Sequence, residues 1–367
     1  MTIYYLRIKE WFDRQPQAEK DKLPTLLAGV GLGLVLAQST VFLGRPVAGY
    51  IFIAFSLIVA LLLGKKITLG PKYIYIPLLI IVGTVVIRTI LYDVSIGTFE
   101  VGFISLMFCG YLAGRVCGRD IFFLVPIIVI TLSILIYIQA LLEPGIPTGG
   151  LADPYNYNLS AAVLALGTVL STWKRKWVVV AFTLPALFLT GGSQSLLVFA
   201  VLFVMMLVRR DFSPKILLPV GALSIAFLSI FYGGLVSDLY ARPYSVITQG
   251  SEHSSYSVRL DGYKLALSDF TILGHGYEPT ITIAEKAIHN VPLRVYYELG
   301  PVAAIAWCYV MLVGLIKTRY KYAFATILAF SIFDHLMWTY LAPVPWIIAG
   351  VATIDKEGDL MFRKETI

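Results

Sequence analysis

The sequence predicts an all-α polytopic membrane protein, with about 12 transmembrane helices and one large loop, containing short helices, between the ninth and tenth. Three observations carry that prediction. Of 367 residues, 58% are hydrophobic and 14% charged, and mean hydropathy is +0.81; a soluble domain carries about a quarter charged residues. Apolar runs of membrane-crossing length recur along most of the chain, and basic residues cluster after every second run. The composition excludes a water-soluble globular enzyme, a disordered tail, a fibre and a disulfide-stapled secreted module. Cys109, Cys117 and Cys308 all lie in apolar runs and read as small core residues.

The runs fall at about 24–43, 46–64, 73–91, 99–116, 121–142, 157–173, 177–190, 194–208, 216–232, 293–316, 322–339 and 341–354. The seventh and eighth are short, and the last two nearly merge around Pro343 and Pro345. The stretch from Met1 to Lys22 is long and mixed in charge, which favours an uncleaved first span over a signal peptide. The expected organisation is a cytoplasmic segment at 1–22, a single transmembrane domain at 23–354 with its outer loop at about 233–292, and a cytoplasmic tail at 355–367.

Orientation follows from the positive-inside rule. With the N-terminus inside, the inner segments hold 22 of the 29 Lys and Arg residues. The other seven are Arg45, Arg88, Arg242, Arg259, Lys264, Lys286 and Arg294. Both termini are expected in the cytoplasm. The net charge of +7 is then a topology signal and does not point to nucleic acid.

The loop from about Gly233 to Pro292 is long enough to be functional. Ser257 to Phe270 reads as an amphipathic helix with Val258, Leu260, Leu265 and Leu267 inward. Gly274 and Gly276 around His275 make a turn, and the whole is expected to form a folded lid. All four histidines, His253, His275, His289 and His335, lie in this loop or at outer helix ends. Arg242, Arg259 and Arg294 flank the same region, and Arg45 follows the first run. Arg88 sits inside the third run near its outer end, where it either snorkels to the interface or lines an anion pocket. Between Glu143 and Ala162, Pro and Gly break the helix and Asn156, Asn158 and Ser160 open the next one as capping residues. Thr190 to Ser195 is either a tight hairpin or an anion-binding turn. No Walker loop, zinc-protease motif, nucleophile elbow or dinucleotide fingerprint is present, so no cofactor is expected. His253, His275 and His289 lack compact ligand spacing, so no metal is expected either.

Three stretches, in this order, resemble the O-antigen ligase and O-antigen polymerase superfamily. DPYNYNLSAAVLALG, from Asp153 to Gly167, is similar to the family's Pro-Asn segment opening a membrane helix. LTGGSQSLLVFAV, from Leu189 to Val201, is similar to its Thr-Gly-Ser-Arg turn. VRLDGYKLAL, LGHGYE and IHNVPLRVYYELGPVAAI, between Val258 and Ile305, resemble its Arg-containing loop helix, its Gly-x-Gly turn, and its His-Asn helix start followed by Glu-x-Gly. One departure stands out: where the family usually places arginine after Ser193, this chain has Gln194. Arg88, Arg45 and Arg210 are, in that order, the candidates to replace it.

The resemblance implies metal-independent, inverting glycosyl transfer from an undecaprenyl-diphosphate-linked glycan, at the periplasmic face of a bacterial inner membrane. A ligase would move the glycan to lipid A–core; a polymerase would extend lipid-linked repeat units. On this reading His289 is the general base toward the acceptor hydroxyl, a role that suits a side chain with an unperturbed pKa near neutral. Arg259 holds the diphosphate, for which guanidinium offers a planar fork. Asn290 and Glu298 orient the base or acceptor, and Arg294 holds a second phosphate. Arg45, Arg88, Arg242, Asn156, Ser193 and Gln194 complete the expected substrate surface. The loop tyrosines, among them Tyr263, Tyr296 and Tyr297, either stack on sugar or form an interfacial belt. A transporter or flippase of lipid-linked glycans is the rival of another class; a peptidoglycan polymerase using Asp261 as acid/base is a further enzyme reading.

Overall fold

In a computed structural model, the residues described are 17–41, 47–91, 94–142, 157–173, 177–190, 254–269, 271–276, 288–334, 336–338 and 341–364. Among them every regular element is helical. The helices are α1 (Gln17–Val41), α2 (Val47–Leu62), α3 (Lys72–Leu91), α4 (Val94–Cys117), α5 (Val125–Leu142), α6 (Tyr157–Trp173), α7 (Trp177–Leu189), α8 (Ser254–Ser268), α9 (Val291–Lys317), α10 (Lys321–Phe333) and α11 (Pro343–Lys364). A 3₁₀ segment, Gly118–Leu124, joins α4 to α5.

Among the described residues three stretches are long and apolar enough to cross a membrane: Lys72–Leu91, Ile104–Leu142 and Val291–Lys317. Shorter apolar helices, such as Val47–Leu62 and Lys321–Ile332, pack around them. The apolar runs at 194–208 and 216–232, and most of the expected outer loop, lie outside the described residues.

The core is aliphatic with buried Trp307, Trp338 and Trp346 at its centre. Outward faces carry leucine and isoleucine in the open, Leu62, Ile90 and Ile316 among them, as helices apolar on all sides do when lipid is the solvent. Where two helices approach backbone to backbone, small residues allow it: any side chain at Gly114 of α4 would collide with the Ile347 carbonyl of α11. Cys109, Cys117 and Cys308 are free thiols against this core.

Arg115, near the end of α4, is buried. Its Nε donates to the Thr68 carbonyl at 2.8 Å, Nη2 to Thr68 Oγ1 at 2.7 Å and Nη1 to Thr353 Oγ1 at 2.5 Å. A cation inside an apolar bundle is costly unless its donors are satisfied, and these three bonds tie the link before α3 to α4 and α11.

Several expected boundaries shift. Helix α1 begins at Gln17, inside the segment expected to precede the first span, and carries Pro24 internally. Helix α11 continues past residue 354 to Lys364. The run at 322–339 is not one helix: α10 stops at Phe333, and Asp334 turns extended (φ −150°, ψ 168°) while its N–H still closes on the Phe330 carbonyl at 2.7 Å. A turn at 336–338 follows. Loop helix α8 differs from expectation at one position of its inward face. Leu267 is 64% exposed whereas Ala266 is fully buried; Leu265 packs inward as expected, beside Tyr263, against the cluster of Ala266, Ile288 and Tyr297, so the inward face is centred on Gly262, Tyr263, Leu265 and Ala266.

Helices α3 and α9 are neighbours and run antiparallel. Lys317 Nζ, at the end of α9, sits 5.5 Å over the ring of Tyr73 at the start of α3. At the opposite end, Arg88 of α3 meets the turn packed on the start of α9.

Candidate functional site

The site is built on a broken helix. In an α-helix the carbonyl of Tyr297 would accept from the N–H of residue 301, but residue 301 is proline and has none. Gly300 leaves helical geometry altogether, at φ 83° and ψ 174°, a region in essence confined to glycine. The carbonyls exposed by this break are taken up by the loop: His275 N–H donates to Tyr297 O at 2.8 Å and Gly276 N–H to Glu298 O at 2.9 Å. The fit demands bare backbone on both sides. A side chain at Gly300 would collide with the Ile272 carbonyl, and one at Gly274 with the Glu298 carbonyl; both glycines hold positive φ, as does Gly276 at 101°. The sequence had read the tenth run as uninterrupted; the Gly300–Pro301 pair breaks it.

Arg88 locks this turn. Its Nη2 donates to the His275 carbonyl at 2.9 Å, and the guanidinium lies against Gly276 where a Cβ would sit. The side chain is buried, so it does not snorkel to the interface; it reaches from α3 into the lid. The His275 ring stacks on Tyr297 at 4.4 Å between centroids, and its Nε2 lies 3.4 Å from Asp269 Oδ2 and 3.2 Å from the Asp269 carbonyl.

His289 stands just before α9, partly exposed. Its Nδ1 lies 3.6 Å from Asp334 Oδ1, with side-chain exposures of 30% and 3% respectively. Asn290 holds the histidine there. As N-cap it accepts from Leu293 N–H at 2.9 Å, satisfying an orphan amide of the first turn, and its Nδ2 donates to the Ile332 carbonyl of α10 at 3.0 Å. Asn290 therefore positions His289 through the backbone, with both ends of its amide committed. From the other side, Tyr263 Oη of α8 donates to the His289 carbonyl at 3.4 Å. Arg259 lies one turn before Tyr263 on the same face of α8.

Arg294 and Glu298 are not arranged as expected. Rather than standing open to a phosphate, Arg294 is 1% exposed and its Nε donates to Glu298 Oε1 at 2.7 Å. Glu298 is 0% exposed, and its second oxygen accepts from Trp338 Nε1 at 2.7 Å. Both carboxylate oxygens are engaged, so this glutamate braces α9 against the 336–338 turn instead of facing His289. A buried ion pair survives only when its remaining hydrogen-bonding capacity is met, and the indole supplies part of that.

Of the other residues expected at the site, Arg45, Arg242, Asn156, Ser193 and Gln194 lie outside the described residues, as do His253 and His335. Asp334 and Trp338 were not anticipated as site members. Asp334 carried a signal, a carboxylate inside an apolar run; Trp338 carried none. Among the described residues no group of three or more His, Cys, Asp or Glu side chains is placed to hold a metal ion.

Fold and site together define an all-helical protein with helices able to span a membrane, a loop helix docked at one end, and a His–Asp pair beneath it. Compared with protein-family models, curated proteins and solved structures, the chain matches none.

Proposed function

We propose that this protein is a metal-independent, inverting membrane glycosyltransferase: it moves a glycan from an undecaprenyl-diphosphate carrier to an acceptor hydroxyl, with lipid A–core as acceptor. It works in a bacterial inner membrane with both termini cytoplasmic and the His289 end periplasmic. The observation that carries the reading is His289, partly exposed at the helix start, with the buried Asp334 carboxylate 3.6 Å behind its Nδ1. At 3.6 Å the contact is of ion-pair rather than hydrogen-bond length, and on this reading Nε2, the nitrogen turned away from Asp334, is the one that receives the acceptor's proton.

In the proposed step the acceptor oxygen attacks the anomeric carbon from the face opposite the diphosphate. The bond to the diphosphate oxygen breaks as the new glycosidic bond forms, and the hydroxyl proton passes to His289 Nε2. Asp334 stabilises the resulting imidazolium. Arg259, on the α8 face that docks beside His289, meets the charge growing on the leaving diphosphate. Arg88 serves this site indirectly, by fastening the lid.

The test is a reconstituted assay with lipid-linked repeat units, with and without lipid A–core, in chelator. Transfer to lipid A–core that is lost in His289→Ala supports the ligase. Extension of the repeat units without lipid A–core assigns the polymerase instead. Wild-type transfer by His289→Ala removes the proposed base.

A further inference from the structure

At the end of the bundle opposite His289, the start of α3 and the end of α9 bring a cluster of cations together. Lys72 precedes Tyr73 and Lys317 lies over the Tyr73 ring at 5.5 Å; Lys321, half-buried, opens α10 four residues after Lys317 and lies 5.2 Å over the ring of its neighbour Tyr322. Lys72 and Lys317 are exposed. Among the described residues no carboxylate pairs with any of these three lysines. Buried Arg115, by contrast, has its donors committed to Thr68 and Thr353.

An apolar lane begins at the same place. Ile76, one turn into α3 from Lys72, is 43% exposed, and Ile316, beside Lys317, is 75% exposed. Positive charge at the ends of two membrane-length helices, beside exposed aliphatic side chains on both, suits a ligand with a phosphate at one end and acyl chains at the other. A soluble phosphate would leave the lane unused.

We propose that Lys72, Lys317 and Lys321 form a binding site for the phosphate headgroup of an anionic phospholipid, whose acyl chains lie along the exposed faces of α3 and α9. The site is independent of any reaction at the His289 end.

The experiment is native mass spectrometry of the full chain in detergent, titrated with phosphatidylglycerol or phosphatidylcholine. Wild-type protein is expected to retain phosphatidylglycerol in preference. Each lysine-to-glutamine change, K72Q, K317Q or K321Q, is expected to weaken that retention roughly fivefold, from about 1 kcal/mol per cation near an anionic surface. The arginine set K72R/K317R/K321R keeps the charge, controls for folding and is expected to retain the lipid. Equal retention of the two lipids overturns the proposal, as does undiminished phosphatidylglycerol binding by the triple glutamine variant. Displacement of the lipid by millimolar inorganic phosphate assigns the lysines to a free anion and overturns it as well.

Discussion

The amide of His275 donates to the carbonyl of Tyr297 at 2.8 Å, in the place where Pro301 has no N–H to offer. A loop residue thereby completes the hydrogen bonding of a broken helix, and the break in turn gives the lid its seat. Arg88 closes the arrangement from a third element, since the residue whose N–H fills the gap is the one whose carbonyl it holds. Lid, broken helix and α3 are one mechanical unit.

Gly300→Ala is therefore expected to destabilise the protein by about 1–3 kcal/mol, the scale of a strained backbone conformation, and by more if the Ile272 carbonyl cannot withdraw. Limited proteolysis of the lid and thermal melting in detergent both read this. Gly83→Ala supplies the contrast. Gly83 lies mid-helix in α3 with open space around its Cβ position, so alanine there should be neutral or stabilising by up to about 1 kcal/mol.

Removing one member of the buried pair should cost far more than removing both. Glu298→Ala leaves Arg294 charged in an apolar interior, and breaking a buried pair in this way costs about 3–5 kcal/mol. The double change Arg294→Met with Glu298→Leu leaves no buried charge, so its melting temperature should lie well above that of the single variant. Trp338→Phe removes one hydrogen bond to a charged group, about 1.5–3 kcal/mol. Additive losses for Glu298→Ala and Trp338→Phe in a double-mutant cycle would refute the shared network.

Much of the helical layout was legible because hydrophobic length is a local property. Every apolar run within the described residues overlaps a helix, and the helix α8 and the turn at His275 were both readable from spacing and glycine. The break at Gly300 was not, although Gly-Pro inside a run is a break signal, because its seat is a loop some 25 residues away in the chain. Arg294 and Glu298 looked like outward functional groups for a similar reason. An i, i+4 pair of opposite charge on a helix reads the same whether it faces water or a tryptophan, and only the packing of Trp338 against it separates the two. On α8 Leu265 was read correctly and Leu267 was not, because leucine outweighed the neighbouring Ala266, which is the residue that is fully buried.

Arg88→Leu is expected to loosen the lid while leaving the bundle intact. The lost bond is a charged donor to a carbonyl, about 1.5–3 kcal/mol, and a leucine in helix α3 keeps apolar contacts with the core. Hydrogen exchange should rise across 271–276, at the amides of His275 and Gly276 above all, with helix α9 beyond Gly300 unchanged. Arg88→Lys should recover only part of the protection, because an ammonium lacks the planar fork that spans the Gly276 backbone. Unchanged exchange in the leucine variant would show that the loop is held by α9 alone.

The final prediction separates positioning from chemistry at the His–Asp pair. His289→Ala removes the proposed base and should lower glycan transfer by about 10²–10⁴-fold, the usual contribution of general-base catalysis, with the chain still inserted and folded. Asp334→Asn keeps size and shape and leaves His289 in place, but removes the negative charge behind the imidazolium. It should lower kcat while leaving KM for the lipid-linked donor nearly unaltered, because Asp334 is buried behind His289. Asn290→Asp tests the other support. Aspartate still caps α9 but cannot donate to the Ile332 carbonyl, so His289 should drift from Asp334 and kcat should fall again, by less than in Asp334→Asn. Kinetics of the three variants in one reconstituted preparation decide the matter: a KM effect in Asp334→Asn, or full activity in it, would place the general base elsewhere.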